Sequence, residues 1–236
     1  MISSLPKWVN NLFENSLRPN VKVLFVSDIS SQIKKVSFQG DISKMNFQVG
    51  YANVIRVSET EYRNYTVAHH DIAEGILEII FYIHGNGVGC RYINTLREGD
   101  EIYISLPRGR NEYDPKVKQQ FIFGDETSLG IACSFLPVLK QNGHQFQFYF
   151  ELGEENKEAP GILGLENFTV FSKNGLFRNE KWIKDLPILK ASDWQEANFI
   201  LTGNVKSVQV FRKVLKETAT GKILSKGYWL EGKKGL

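Results

Sequence analysis

Cysteine is nearly absent from this chain: Cys90 and Cys133 are the only two, far apart and in no Cys-x-x-Cys pair. That scarcity excludes a disulfide framework and a thiolate zinc site, and it fits a reducing compartment. No apolar run is long enough to span a bilayer, and the N-terminus carries no signal-peptide pattern. Charge of one sign is not in excess. Lys and Arg total 29 against 26 Asp and Glu, a net +3, so the concentrated basic face that nucleic acid demands is missing. There is no internal repeat, no low-complexity segment, no Walker loop and no Gly-x-Gly-x-x-Gly fingerprint. These absences lead us to expect a cytoplasmic monomer with neither a nucleic-acid partner nor a membrane span.

What is present is ordinary globular chemistry in two grammars. The 236 residues are 42% hydrophobic and 23% charged, enough for a sizeable core. Leu5, Trp8, Val9, Leu12 and Phe13 recur at helical spacing, so the N-terminus reads as a short amphipathic helix. From about Val21 to Pro107 the chain reads as β. The runs "VKVLFVSDI", "IKKVSFQG", "ANVIRVSE", "YRNYTVAH", "GILEIIFYIH" and "DEIYISLP" are separated by turn residues. Six such strands predict a small antiparallel barrel or sandwich.

The polar stretch "RGRNEYDPKVK" is the natural linker, which divides the chain into residues 1–115 and 116–236. Beyond it, "QQFIFG", "HQFQFYFEL", "NFTVFSK" and "ANFILTGN" read as strands. They are interleaved with an apolar-striped helix (Leu129, Ala132, Cys133, Leu136, Leu139) and with "VKSVQVFRKVLKET". Pro137 inside the first helical pattern predicts a kink or an early stop. Strands alternating with helices predict an open parallel sheet, whose ligands lie at the carboxyl ends of the strands. Those ends carry Gly124-Asp125, Glu151, Ser172-Lys173 and Thr202-Gly203.

Two stretches suit an anionic aromatic ligand. "RNYTV" places Arg63 and Tyr65 one strand period apart, a charged fork and a flat ring on the same side, with Thr66 offering a hydroxyl and an N–H. Taken alone, this reads first as a barrel strand with a surface Arg and a packed Tyr. "HGNGVGCRY" sets Gly85, Gly87 and Gly89 ahead of a helix, which is either a hairpin loop or a nest of N–H groups for a pyrophosphate. His69 and His70, adjacent on a strand, point to opposite faces and cannot easily share an ion, so no metal site is expected.

Four motifs in order, "RNYT", "HGNGVGC", "FGDETSLG" and "YWLEG", resemble the siderophore-interacting protein family, a branch of the ferredoxin-reductase superfamily. The resemblance runs from about Val21 to Gly232. It implies a flavin-binding barrel followed by a nucleotide-binding α/β domain. It further implies an oxidoreductase that uses FAD rather than FMN, draws electrons from NADH or NADPH, and reduces ferric siderophores to release Fe(II). The alternatives are a flavin reductase with another acceptor, or a flavin- or siderophore-binding protein without turnover.

The same resemblance implies flavin contacts at Arg63, Tyr65, Thr66, His84, Gly85, Gly87, Gly89, Cys90, Arg91 and Trp229. It implies nucleotide contacts at Gly124, Asp125, Thr127, Lys173, Thr202 and Gly203. Lys173 reads as a partner for a 2′-phosphate or as a solvated turn Lys, and Trp229 as a shield over the flavin or a packing anchor. The chain departs from the family pattern at Ala68, where a second Arg is usual, at Cys90, where Ser is usual, and at Gly130, where Pro is usual.

Overall fold

The computed structural model describes residues 18–110 and 112–233. The amphipathic helix expected around Leu5 to Phe13 lies outside the described residues. The chain divides into two compact units at residues 111 and 112, and each is taken by itself below.

The first unit is a six-stranded antiparallel sheet: β1 (Val21–Asp28), β2 (Ile33–Gly40), β3 (Ala52–Arg56), β4 (Tyr62–Asp71), β5 (Ile76–Tyr82) and β6 (Glu101–Ile102), in the order β3-β4-β5-β2-β1-β6. The sheet curls into a nearly closed barrel because the chain after β6 returns to β3, with bridges at Ile55–Ile104 and Ala52–Arg108. Alternation drives the closure: Val36, Phe38, Ile55, Val67, Leu77, Ile79 and Phe81 point inward and form one core with Val21, Val23 and Ile104. A bulge at Leu24 breaks the β1 register and turns Leu24 and Phe25 outward. The run "DEIYISLP" yields only two residues of regular strand, since past Ile102 the segment pairs through isolated bridges.

The second unit is a five-stranded sheet with every pairing parallel: β7 (Gln119–Gly124), β8 (Gln145–Leu152), β9 (Phe168–Ser172), β10 (Asn198–Asn204) and β11 (Ile223–Trp229), in the order β11-β10-β7-β8-β9. The fifth strand, β11, has no counterpart among the strands read from the sequence. Its pattern "ILSKGYW" is broken by Ser225, Lys226 and Gly227, and none of its residues is fully buried.

The helix Val205–Thr218 falls where the periodicity predicts it and buries Val208, Phe211, Val214 and Leu215. The helix Leu129–Gln141 continues through Pro137 to Gln141, so the early stop does not occur. It buries Leu129, Gly130, Ile131, Ala132, Phe135 and Leu139; of the expected stripe, Cys133 and Leu136 are only partly buried, and Phe135 turns inward instead. Between β9 and β10 lie only short helical turns, at Glu180–Lys184 and Pro187–Lys190, too brief to show a period in the sequence. Among the described residues no helix is long and apolar enough to cross a membrane.

Barrel closure depends on Asn53, fully buried on β3, whose Nδ2 donates to the Ser105 carbonyl at 2.6 Å. Ser105 in turn bonds Val54 through its N–H and its Oγ, both at 2.9 Å. Asn53→Ala should cost about 1–3 kcal/mol, because the buried Ser105 carbonyl loses its side-chain donor. Urea denaturation checks this, and an unchanged midpoint would show that the strand bridges alone close the barrel.

Candidate functional site

In the barrel, Glu61 just ahead of β4 and Arg63 and Tyr65 on it stand at alternate positions, hence on one face. The Tyr65 ring packs edge-on against Phe81 at 4.6 Å between centroids. Its hydroxyl lies 3.0 Å from where a Cβ on Gly89 would stand, and the Arg63 stem is at 3.3 Å. Gly89 is therefore a close-approach glycine. It lets the helix Val88–Thr95 seat its first turn directly on Arg63 and Tyr65. That helix starts two residues earlier than Cys90. Its N-cap, Gly87, offers no side-chain cap, and no acid stands in the first turn.

The uncapped N–H groups carry the positive end of the helix dipole. Beside a guanidinium, this donor set suits a phosphate, so the barrel residues fit an FAD pyrophosphate. Cys90 is buried beneath this turn. Burial pushes the Tyr65 phenol above its ordinary value, with Cys90 adding to the shift and Arg63 opposing it.

The remaining flavin candidates spread outward. Gly85 and Gly87 are exposed, and a Cβ on either would meet nothing. His84 is exposed and stacks on Tyr82 at 5.3 Å. Arg91 donates to the Asn86 carbonyl and so braces the glycine loop. Thr66 stands opposite Ala52 on the edge of the β3–β4 pair.

Ala68 is the extra residue of a bulge between Val67 and His69, and it is buried. His70 stacks on Phe47 at 4.4 Å. Desolvation, then the neighbouring His69, holds its pKa below the ordinary value, opposed by Asp71. Among the described residues no three His, Cys, Asp or Glu side chains gather as a metal site.

In the second unit, the strand order changes direction between β7 and β10, and this is where the open crevice of such sheets lies. Asp125 sits at that point with its side chain turned inward. Oδ1 accepts from Thr127 N at 2.9 Å and from the Thr127 hydroxyl. Oδ2 accepts from Asn204 N at 2.9 Å and from Trp229 Nε1 at 2.6 Å. Its neighbour Glu126 accepts from Gly153 N at 2.8 Å, from Asn156 Nδ2 at 3.2 Å and from Lys173 Nζ. Both acids are 1% exposed.

Burial raises the Asp125 pKa; Lys173, Thr127 and Trp229 oppose the shift, and Glu126 adds to it. Glu151, at the end of β8, accepts from Ser207 Oγ at 2.8 Å. Its pKa is also raised, first by burial and then by Asp125, with Ser207, Lys173 and Arg178 opposing.

The nucleotide candidates thus meet one another. Lys173 is not the solvated turn residue of the bland reading. It is paired with buried Glu126, and its Nζ stands 5.0 Å from the Trp229 ring centre. Thr202 is buried and donates to Ser128 Oγ at 2.8 Å. Gly124 and Gly203 are glycines because of their neighbours. A Cβ on Gly124 would lie 2.1 Å from the Ser128 Cβ. A Cβ on Gly203, at φ +103°, would lie 2.7 Å from the Asp125 carboxyl carbon.

Sequence reasoning did not find these long-range contacts of Glu126, Ser207 and Asn204. Their partners lie 27 to 79 residues away, and no local spacing reports such contacts. Glu61 was within reach, since i and i+2 share a strand face.

Residues 19–111 match the family model described as the siderophore-interacting FAD-binding domain. A siderophore utilization protein from T. fusca is similar at 22% identity and TM-score 0.72, covering 92% of this chain and 94% of that one. The siderophore-interacting protein SipS from Aeromonas hydrophila is similar at 16% identity and TM-score 0.67, covering 91% and 99%. The H286L mutant of ferredoxin-NADP+ reductase from Plasmodium falciparum is similar at 12% identity and TM-score 0.69, covering 89% and 96%. No curated protein matches the chain. The resemblance read from the motifs is thereby shown: the barrel matches the siderophore-interacting FAD-binding family. The structural neighbours are siderophore-interacting and ferredoxin-reductase-like proteins.

Two outcomes are expected at the strand ends. Lys173→Met should destabilise the protein by about 3–5 kcal/mol, because it strips the cation from a buried carboxylate. A variant as stable as the parent in chemical denaturation would assign Lys173 to ligand binding alone. Glu151→Gln keeps an acceptor for Ser207 and removes the charge. A carboxyl whose folded pKa is raised contributes stability below its unfolded pKa and loses it as pH rises through the folded value. The stability of Glu151→Gln relative to the parent should therefore grow as pH rises from the ordinary carboxylate range. A difference that does not change with pH would contradict this.

Proposed function

We propose that this protein is a flavin-dependent oxidoreductase. In this reading FAD is held by the barrel, NADH or NADPH is the electron donor, and a ferric siderophore is the acceptor. The observation that carries the reading is Gly89 seated on Arg63 and Tyr65. It brings the uncapped positive end of a helix to the guanidinium of a strand motif. Arg63 and the N–H groups after Gly87 would hold the phosphates, Tyr65 and Thr66 would line the ring system, and Arg91 would keep the glycine loop in shape. When bound, FAD supplies acceptance of an electron pair from a reduced nicotinamide and delivery of single electrons to Fe(III). Iron as Fe(II) binds the hard oxygens of a siderophore less tightly, so reduction releases it.

In the second unit the crevice at Asp125 and Trp229 is the place for the nicotinamide dinucleotide. One observation favours a second reading, a flavin or siderophore binder without turnover. The side chains of Thr127, Lys173 and Thr202 are already bonded inside the unit. A dinucleotide there would rely on backbone groups and on the Trp229 indole.

The test is a purified protein that binds FAD and is bleached anaerobically by NADH or NADPH. A ferric hydroxamate or catecholate chelate then restores the colour, with Fe(II) trapped by a ferrous chelator. Reoxidation no faster than with ferric citrate would remove the siderophore. Bound flavin that resists both nucleotides would favour the second reading. Arg63→Ala should weaken FAD binding by about 10- to 150-fold, equivalent to about 1.5–3 kcal/mol. Equilibrium dialysis showing parental affinity would remove Arg63 from the phosphate site.

A further inference from the structure

The Arg63 guanidinium already has partners within its own strand. Its NH1 donates to the Tyr62 carbonyl at 2.9 Å, and its NH2 donates to Glu61 Oε1 at 3.1 Å. The Glu61 carboxylate is itself fixed. Oε2 takes a long 3.5 Å contact from Ser58 Oγ, and Ser58 Oγ accepts from the Glu61 N–H at 3.1 Å. Both members of the ion pair are partly buried, with 26% of the Arg63 and 31% of the Glu61 side chain exposed. The Nε edge of the same guanidinium is turned toward the glycine helix, 3.9 Å from where a Gly89 Cβ would stand.

We infer that Glu61 sets the affinity of the barrel for the flavin pyrophosphate, by offsetting the charge of Arg63 while holding its fork toward the helix N-terminus. This rests on the flavin reading above. The two actions of Glu61 oppose each other, and the charge prevails. The fork is oriented by Tyr62 and by packing under Gly89 as well as by Glu61, so its direction has other supports. The negative charge has no such redundancy. A pyrophosphate carries two negative charges, and at this helix N-terminus it meets Arg63 together with the carboxylate that half-neutralises it. The position usually filled by a second Arg is Ala68, buried in a bulge. Arg91 is exposed and spent on the loop carbonyl of Asn86. The surplus positive charge facing the phosphates is therefore small, and Glu61 is the group that reduces it. FAD should accordingly be held as an exchangeable ligand.

Glu61→Gln separates charge from orientation, because the amide oxygen still accepts from Arg63 and the charge is gone. FAD and riboflavin dissociation constants are measured by fluorescence titration of the parent and the variant at low and high salt. The expected result is FAD bound about 5- to 10-fold more tightly by Glu61→Gln at low ionic strength, with the gain shrinking at high salt. Riboflavin, which lacks the phosphates, should bind both proteins equally. Equal or weaker FAD binding by the variant, with the parent binding FAD, overturns the role of Glu61 and leaves the flavin reading standing. A gain that extends equally to riboflavin also overturns it, since it would report a general repacking of the pocket. If neither protein binds FAD, the flavin reading falls and this inference falls with it.

Discussion

Two adjacent carboxylates at the end of β7 hold the α/β unit together. Asp125 takes donors from the β10 turn and from Trp229 on β11, and Glu126 takes them from Gly153 after β8 and Lys173 after β9. A parallel sheet leaves its strand ends to be joined by loops, and here two side chains join all of them. Both acids are desolvated, so each is tolerable only because its oxygens are satisfied. That requirement fixes the surroundings. Gly203 must lack a Cβ so that the Asn204 N–H can reach Asp125, and Gly124 must lack one so that Ser128 can close the capping box. Trp229 is drawn to the same point by its indole N–H.

This arrangement changes what the "FGDETSLG" stretch means. Read as sequence, its Gly124, Asp125 and Thr127 address a nucleotide. In the structure Asp125 does cap the turn ahead of the helix Leu129–Gln141, and the Thr127 hydroxyl donates to the same carboxylate. The motif is therefore first a device for building the crevice. A dinucleotide would meet the surface this device creates, with the partly buried Trp229 indole beside Asp125.

How much was legible in the sequence follows from the range of each interaction. The barrel strands, the parallel sheet and the helix Val205–Thr218 are written in periods of 2 and 3.6, and local residues decide them. β11 was missed because an edge strand with little burial does not show strict alternation. The end of the helix Leu129–Gln141 was misjudged because Pro137 lies only four residues from its last residue, where packing of Phe135 and Leu139 on the sheet outweighs the loss of one backbone hydrogen bond. Arg63, Tyr65 and Gly89 were brought together in the reading by family resemblance. Their meeting in space depends on the absence of a Cβ at Gly89. Lys173, Glu126 and Trp229 converge from positions far apart in the chain, and nothing in the local pattern announces it.

The departures from the family pattern are consistent with packing. Gly130 is buried in the first turn of its helix, where a small residue fits against the sheet. Cys90 is buried in the helix turn that rests on Tyr65, a place that a small, weakly polar thiol fills. Ala68 occupies a bulge facing the interior, where the long charged side chain of an Arg could not remain without a partner. At Ala68 and Cys90 the protein gains a small buried residue and loses a group able to address an anion. In the proposed flavin reading, the phosphate-facing chemistry of the barrel is thereby concentrated on one guanidinium and one helix terminus, and the local charge around Arg63 would govern how firmly the anionic ligand is held.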